Sequence, residues 1–245
     1  MMVSMMRFRL LGVPVAVRPS FLLIAALLGI RQGSVGRVLI WVGVVFVSIL
    51  VHEFGHALTA RRYGANVAIE LNGIGGLTTW GLDEELPPGK RALIAAAGSG
   101  VGVVLGGIVA GLVTMTGPYS GIAEQTLTLL IRVNLFWGLL NWLPIRPLDG
   151  GHLLIALLEK VTPAKAEPIA GVVFMVTPAI GAVLALRYGY LVAALVAGFL
   201  LVAEFARFGG SSRDGGAIPD ALTFDDGSAG EEQVADSSPG DDAPG

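Results

Sequence analysis

The residues His52, Glu53 and His56 form an H-E-x-x-H sequence inside the apolar stretch "VSILVHEFGHALTA", residues 47–60. In a helix, positions i and i+4 lie one above the other on a single face, so the two imidazoles would point at one spot. Glu53 borders the same face. Two imidazoles so placed can ligate zinc, and the glutamate beside them can serve as a general base. Zinc with three protein ligands keeps a fourth position for water and lowers that water's pKa to about 7. A neighbouring carboxylate can take that water's proton and hand it to a leaving amine. The chain contains no cysteine, which removes thiolate ligands, thiol nucleophiles and disulfides from consideration.

The burial of this set needs a reason. Placing an ionisable side chain deep in a bilayer costs at least ~2.5–3.5 kcal/mol on insertion scales, which makes such residues functional candidates. A third ligand is required, and a second polar island supplies two: "NWLPIRPLDGGHLL", residues 141–154, holds Asp149 and His152. Pro144 and Pro147 break the apolar run there, and non-helical backbone at membrane depth is tolerated only where it is buried in protein or lines a cavity. Asp149 stands where a new helix begins, so it could equally be an N-cap. Physical chemistry leaves Asp149 and His152 both open.

The surrounding elements follow from composition. The chain of 245 residues is 53% hydrophobic and 14% charged, with a mean hydropathy of +0.72. A soluble domain carries about 25% charged residues. An all-α polytopic membrane protein is expected. Apolar runs lie at about 19–30, 38–60, 92–115, 125–145, 167–186 and 189–208, and a spanning helix needs ~20 residues. About six transmembrane helices follow, the first being short. The piece 149–159 is too short to cross alone. No cleavage site follows the first run, so it is read as retained. With six spans and a cytoplasmic N-terminus, twelve lysines and arginines lie on the cytoplasmic side and three outside. The positive-inside rule then puts both termini in the cytoplasm.

The organisation expected is an interfacial segment at 1–18, a transmembrane core at 19–208 and an acidic tail at 209–245. The tail has nine acidic residues against one basic, Arg213. Its Gly, Ser, Asp and Pro content predicts disorder. Gly12 and Pro14 divide two short β-prone runs in residues 7–18, which predicts a hairpin. Gly98, Gly102 and Gly106 recur every fourth residue, the small-xxx-small pattern of close helix packing in lipid. The segment "GSGVGVVLGG" lacks the lysine and the strand–turn–helix setting of a phosphate-binding loop. Arg132 stands alone inside an apolar run.

These two motifs together resemble the site-2 protease family of intramembrane zinc metalloproteases, peptidase family M50. The family signature pairs H-E-x-x-H with a later N-x-x-P-x-x-x-L-D-G. Here they read His52-Glu53-Phe54-Gly55-His56 and Asn141-Trp142-Leu143-Pro144-Ile145-Arg146-Pro147-Leu148-Asp149-Gly150. The resemblance covers roughly residues 5–205. It implies one zinc per chain held by His52, His56 and Asp149, Glu53 as the catalytic base, and Asn141 as a residue that positions substrate or stabilises an oxyanion. His152 then falls outside the ligand set. Residues 66–80 look like the family's strand-forming hairpin after the motif helix, whose edge could pair with unwound substrate.

The resemblance further implies cleavage of single-pass transmembrane proteins in a lipid bilayer, in regulated intramembrane proteolysis. An anti-sigma factor or a membrane-anchored regulator would be a typical substrate, the bacterial cell membrane the setting, and nucleic acid no partner. A minimal form without PDZ or CBS domains is expected. Many members carry A-G-P-x-x-N in the third core span. Here Ala97-Gly98-Ser99-Gly100-Val101-Gly102 lacks the proline and the asparagine. Two other readings remain: a metal or ion transporter, since intramembrane His and Asp also line ion paths, and a catalytically silent scaffold of the same family.

Overall fold

The computed structural model describes residues 5–82 and 84–209, which lie in one compact unit, Met1–Gly215. A second unit, Gly216–Gly245, lies outside the described residues, as does the expected acidic tail apart from Gly209. The fold is mostly helical. Its order is β1 (Met6–Leu10), β2 (Val13–Val17), α1 (Pro19–Gly29), α2 (Val35–Arg62), β3 (Asn66–Asn72), β4 (Gly75–Gly81), α3 (Pro88–Thr116), α4 (Gly121–Asn141), α5 (Asp149–Val161), α6 (Ala166–Arg187) and α7 (Leu191–Gly209).

Both expected hairpins form, and the structure joins them. The strand order is β1-β2-β3-β4, with β2 and β3 parallel and the outer pairs antiparallel. An all-α description therefore needs a four-stranded sheet added. Local pattern predicts the first hairpin and the resemblance implies the second, but neither gives the parallel seam, because that pairing is a long-range event. Leu11 and Gly12 both take positive φ, 52° and 76°, as a tight two-residue hairpin turn requires. The seam is fixed by Arg18, whose Nε and Nη2 donate to the two oxygens of Glu70 at 2.6 and 3.1 Å. The guanidinium beside Glu70 holds that carboxyl below the usual carboxylate range. Val13, Val15, Ile69 and Leu71 turn the sheet's apolar face onto Leu50, Phe54 and Ala57 of α2, closing the core. The sheet is thereby pressed against the helix that carries H-E-x-x-H.

Three helical segments are long and apolar enough to cross a membrane: Val35–Arg62, Pro88–Thr116 and Pro163–Arg187. The other three expected runs are also helical, as α1, α4 and α7. The α1 helix has 11 residues, short of the ~20 needed to span. α4 ends at Asn141, earlier than the expected 145, and the Pro144–Pro147 segment forms the break before α5. The glycine stripe of α3 packs as its spacing predicts. A Cβ at Gly106 would press on Leu135 of α4, and one at Gly98 would strike the His56 imidazole on α2.

Candidate metal centre

His52 and His56 sit one turn apart on α2, and Asp149 reaches them from the first residue of α5. The N-cap of α5 is Leu148, so the Asp149 carboxylate is free to face the histidines. The two Nε2 atoms are 3.2 Å apart. Asp149 Oδ1 lies 3.2 Å from His56 Nε2, and Oδ2 lies 3.4 Å from His52 Nε2. Around a tetrahedral ion with ligand distances of about 2.0–2.1 Å, ligand atoms stand about 3.3 Å apart. The donor set therefore fits one metal ion, and these three residues form the metal-competent cluster among the described residues.

Neighbouring groups orient these side chains. His56 Nδ1 donates to the Ile94 carbonyl of α3 at 2.7 Å, which leaves the Nε2 lone pair facing the cluster. Such a bond to the far ring nitrogen fixes tautomer and ring orientation in metal sites. The Ser99 hydroxyl donates to Asp149 Oδ2 at 2.6 Å. Ser99 occupies the position where the family pattern has proline, so the departure in residues 97–102 places a hydroxyl on the carboxylate. Gly98 leaves the room that the His56 ring fills.

Glu53 lies beside the cluster and is 5% exposed. Its Oε1 is 4.0 Å from His52 Nε2, and its Oε2 accepts the Thr78 hydroxyl of β4 at 2.6 Å. A Cβ at Gly76 would collide with the Glu53 carboxylate, so β4 can lie against it only with glycine there.

The remaining sequence candidates lie elsewhere. His152 is exposed and outside the cluster. Asn141 is the last residue of α4, is partly buried, and makes no side-chain hydrogen bond among the described residues. Asn134, two turns earlier, is instead the buried amide near the site. It lines a small cavity with Ser48 and His52, and its Nδ2 donates to Ser48 Oγ at 2.9 Å. Sequence alone assigns no site role to Thr78, Ser99 or Asn134, and Ser99 enters it only within the departure at 97–102. Asn134 carries a signal too, a polar side chain in an apolar run.

The α4–α5 connection is tied down by Arg146. Its Nε stands 3.1 Å from both oxygens of the buried Glu204 on α7, and its Nη2 3.3 Å from Glu167 on α6. Its guanidinium lies over the Phe174 ring, 4.8 Å from the centroid. Arg146 is three residues from Asp149, so α6 and α7 brace the segment that delivers that carboxylate.

Residues 117–184, which include Asp149, match the sequence pattern of peptidase family M50. Over those residues the chain is similar to that family. A zinc metalloprotease of Methanocaldococcus jannaschii is 30% identical over 161 residues, 64% of this chain and 46% of that protein. Rip3 of Mycobacterium tuberculosis, named as a candidate zinc metalloprotease, is 38% identical over 118 residues, 46% of this chain and 30% of that protein. The chain thus spans under half the length of these relatives. The solved site-2 protease from Methanocaldococcus jannaschii shares the fold, with a TM-score of 0.58 and 24% identity over 88% of this chain and 99% of that one.

Proposed function

We propose that the chain is a zinc-dependent intramembrane endopeptidase that hydrolyses peptide bonds in or near transmembrane segments of single-pass membrane proteins. The observation that carries this reading is the convergence of His52, His56 and Asp149 with the Glu53 carboxylate alongside, in the interior of an apolar helix. Zinc held by the three ligands would supply a Lewis acid for the peptide carbonyl and acidify a bound water. Glu53 takes the proton of the attacking water and delivers it to the leaving amine. Thr78 holds Glu53 in line for that transfer, and Ser99 and the Ile94 carbonyl hold the ligands. Asn141 is assigned to substrate positioning or the oxyanion by its motif place alone.

In this reading residues 19–208 are the catalytic core, α2–α4, α6 and α7 cross the cell membrane, the short α1 makes the first crossing only together with residues 30–34 that lead into α2, and both termini are cytoplasmic. Twelve basic residues against three support that orientation. His52 lies ten residues from the basic end of α2 at Arg62, about 15 Å along the axis. Cleavage near the cytoplasmic leaflet follows, with release of a cytoplasmic fragment such as a membrane-anchored regulator or anti-sigma factor. The free edge of β4, beside Glu53, is suited to receive unwound substrate as an added strand.

The test is cleavage of single-pass reporter proteins by the purified chain in detergent. Cleavage that needs zinc and is lost in Glu53→Gln is expected. Cleavage unchanged in Glu53→Gln would overturn the assignment.

A further inference from the structure

A cavity of about 400 Å3 opens between α1, α2, α4 and the β3–β4 turn. Its walls are apolar, from Phe21, Leu28, Val45 and Phe136 among others. Arg132 is its one charged lining residue, and no acid lines it. Arg132 makes no hydrogen bond or ion pair with any described residue. An arginine inside a membrane helix is costly and marks a substrate or ion path. Ile49, Val133 and Trp137 line both this groove and the small cavity that touches His52. The groove thus lies one layer of side chains from the cavity that touches His52. The β3–β4 turn forms part of the same wall, and β4 runs from it to Glu53.

We propose that this groove receives the transmembrane segment of the substrate, and that Arg132 selects segments carrying one Asp or Glu side chain as its counter-ion. The inference rests on the reading of the chain as an intramembrane protease. An apolar wall with a single unpaired cation calls for an apolar occupant with a single anion. Adjacency to the His52 cavity, and a wall formed by the turn from which β4 runs to Glu53, favour a polypeptide, which must reach the metal centre, over a lipid, which need not. Asn134 bonds Ser48, one turn of α2 before His52, and Arg132 lies two residues before Asn134. With α2 and α4 running the same way, Arg132 therefore lies about six residues of rise, near 9 Å, from the level of His52.

The absence of native cysteine allows a direct test. Leu28→Cys in the groove wall and, as a control, Val183→Cys on the exposed face of α6 each provide one crosslinking site in the Glu53→Gln chain, which does not turn the probe over. The probe is a lysine-flanked Leu/Ala transmembrane peptide with one cysteine and, a turn away, either Asp or Asn. In phosphatidylcholine nanodiscs with diamide as the added two-electron oxidant, disulfide formation at residue 28 is expected to be at least tenfold faster with Asp than with Asn. Arg132→Gln should remove the preference, Arg132→Lys should keep it, and residue 183 should show none. Equal rates for the two peptides, or a preference that survives Arg132→Gln, would overturn the proposal. So would loss of the Asp preference on adding phosphatidylglycerol at one lipid in five, together with Arg132-dependent retention of that lipid, which would make an anionic lipid the occupant. Reporter cleavage by the native chain is scored separately. Glu53-dependent cleavage without the Asp preference removes this inference alone, and the preference without such cleavage removes the protease reading alone.

Discussion

The hydroxyl of Thr78 stands 2.6 Å from a carboxylate oxygen of Glu53. It comes from the edge strand of the sheet, and Gly76 on the same strand lets the backbone lie against that carboxylate. The sheet is therefore part of the site, and its position on α2 sets the direction in which Glu53 points. Thr78→Val should reduce reporter cleavage by about 10- to 100-fold, the usual cost of removing an orienting partner. Bound zinc should be unchanged, and Thr78→Ser should recover most of the activity. Metal loss in Thr78→Val, read by elemental analysis, would assign the residue a different role.

The three proposed ligands and His152 separate in a metal-binding measurement. His52→Ala, His56→Ala and Asp149→Ala should each lose most of their bound zinc, and His152→Ala should keep it. Ser99→Ala should weaken zinc affinity by about 10-fold or more, since its hydroxyl orients the Asp149 carboxylate. Zinc retained by Asp149→Ala but lost by His152→Ala would reverse the assignment.

Arg146 and Glu204 give a stability prediction. Glu204 is 4% exposed, so Arg146→Met leaves a buried charge without its partner and should destabilise by about 3–5 kcal/mol. The double change Arg146→Met with Glu204→Leu removes both charges and should recover most of that loss. Thermal unfolding in detergent reads both. A double variant no more stable than Arg146→Met alone would show that the pair is not what braces this segment.

The Arg18–Glu70 pair makes the sheet sensitive to acid. Its folded carboxyl lies below the unfolded value of about 4.3, as Arg18 donates to it. The stabilisation is full above the unfolded value and is lost as pH falls through the folded one. The native chain should therefore melt above Glu70→Gln at pH 7, and the difference should start to shrink as pH falls past about 4.3 and close only below the folded value. A difference that is constant with pH would show that Glu70 acts by packing alone.

Much of the site was legible because its chemistry is written locally. His52, Glu53 and His56 share one helical turn, and the apolar flanks make their burial visible. Asp149 and His152 could not be told apart by spacing, since a three-residue difference at a helix start decides which side chain faces α2. Thr78, Ser99 and Asn134 meet the site through tertiary contacts with no periodic signature. The parallel β2–β3 seam was hidden for the same reason: each hairpin is local, while Arg18 and Glu70 are 52 residues apart. All six apolar runs of the sequence are helical, but α1 is too short to meet the span criterion, and among the described residues three segments do.

The most direct test compares membranes from cells that carry the native chain with membranes from cells that carry Glu53→Gln, by quantitative proteomics of membrane-anchored fragments. The account predicts that particular single-pass fragments accumulate in the Glu53→Gln cells while the purified variant retains its zinc. Identical fragment profiles, with zinc bound to both proteins, would contradict the claim that Glu53 drives intramembrane hydrolysis.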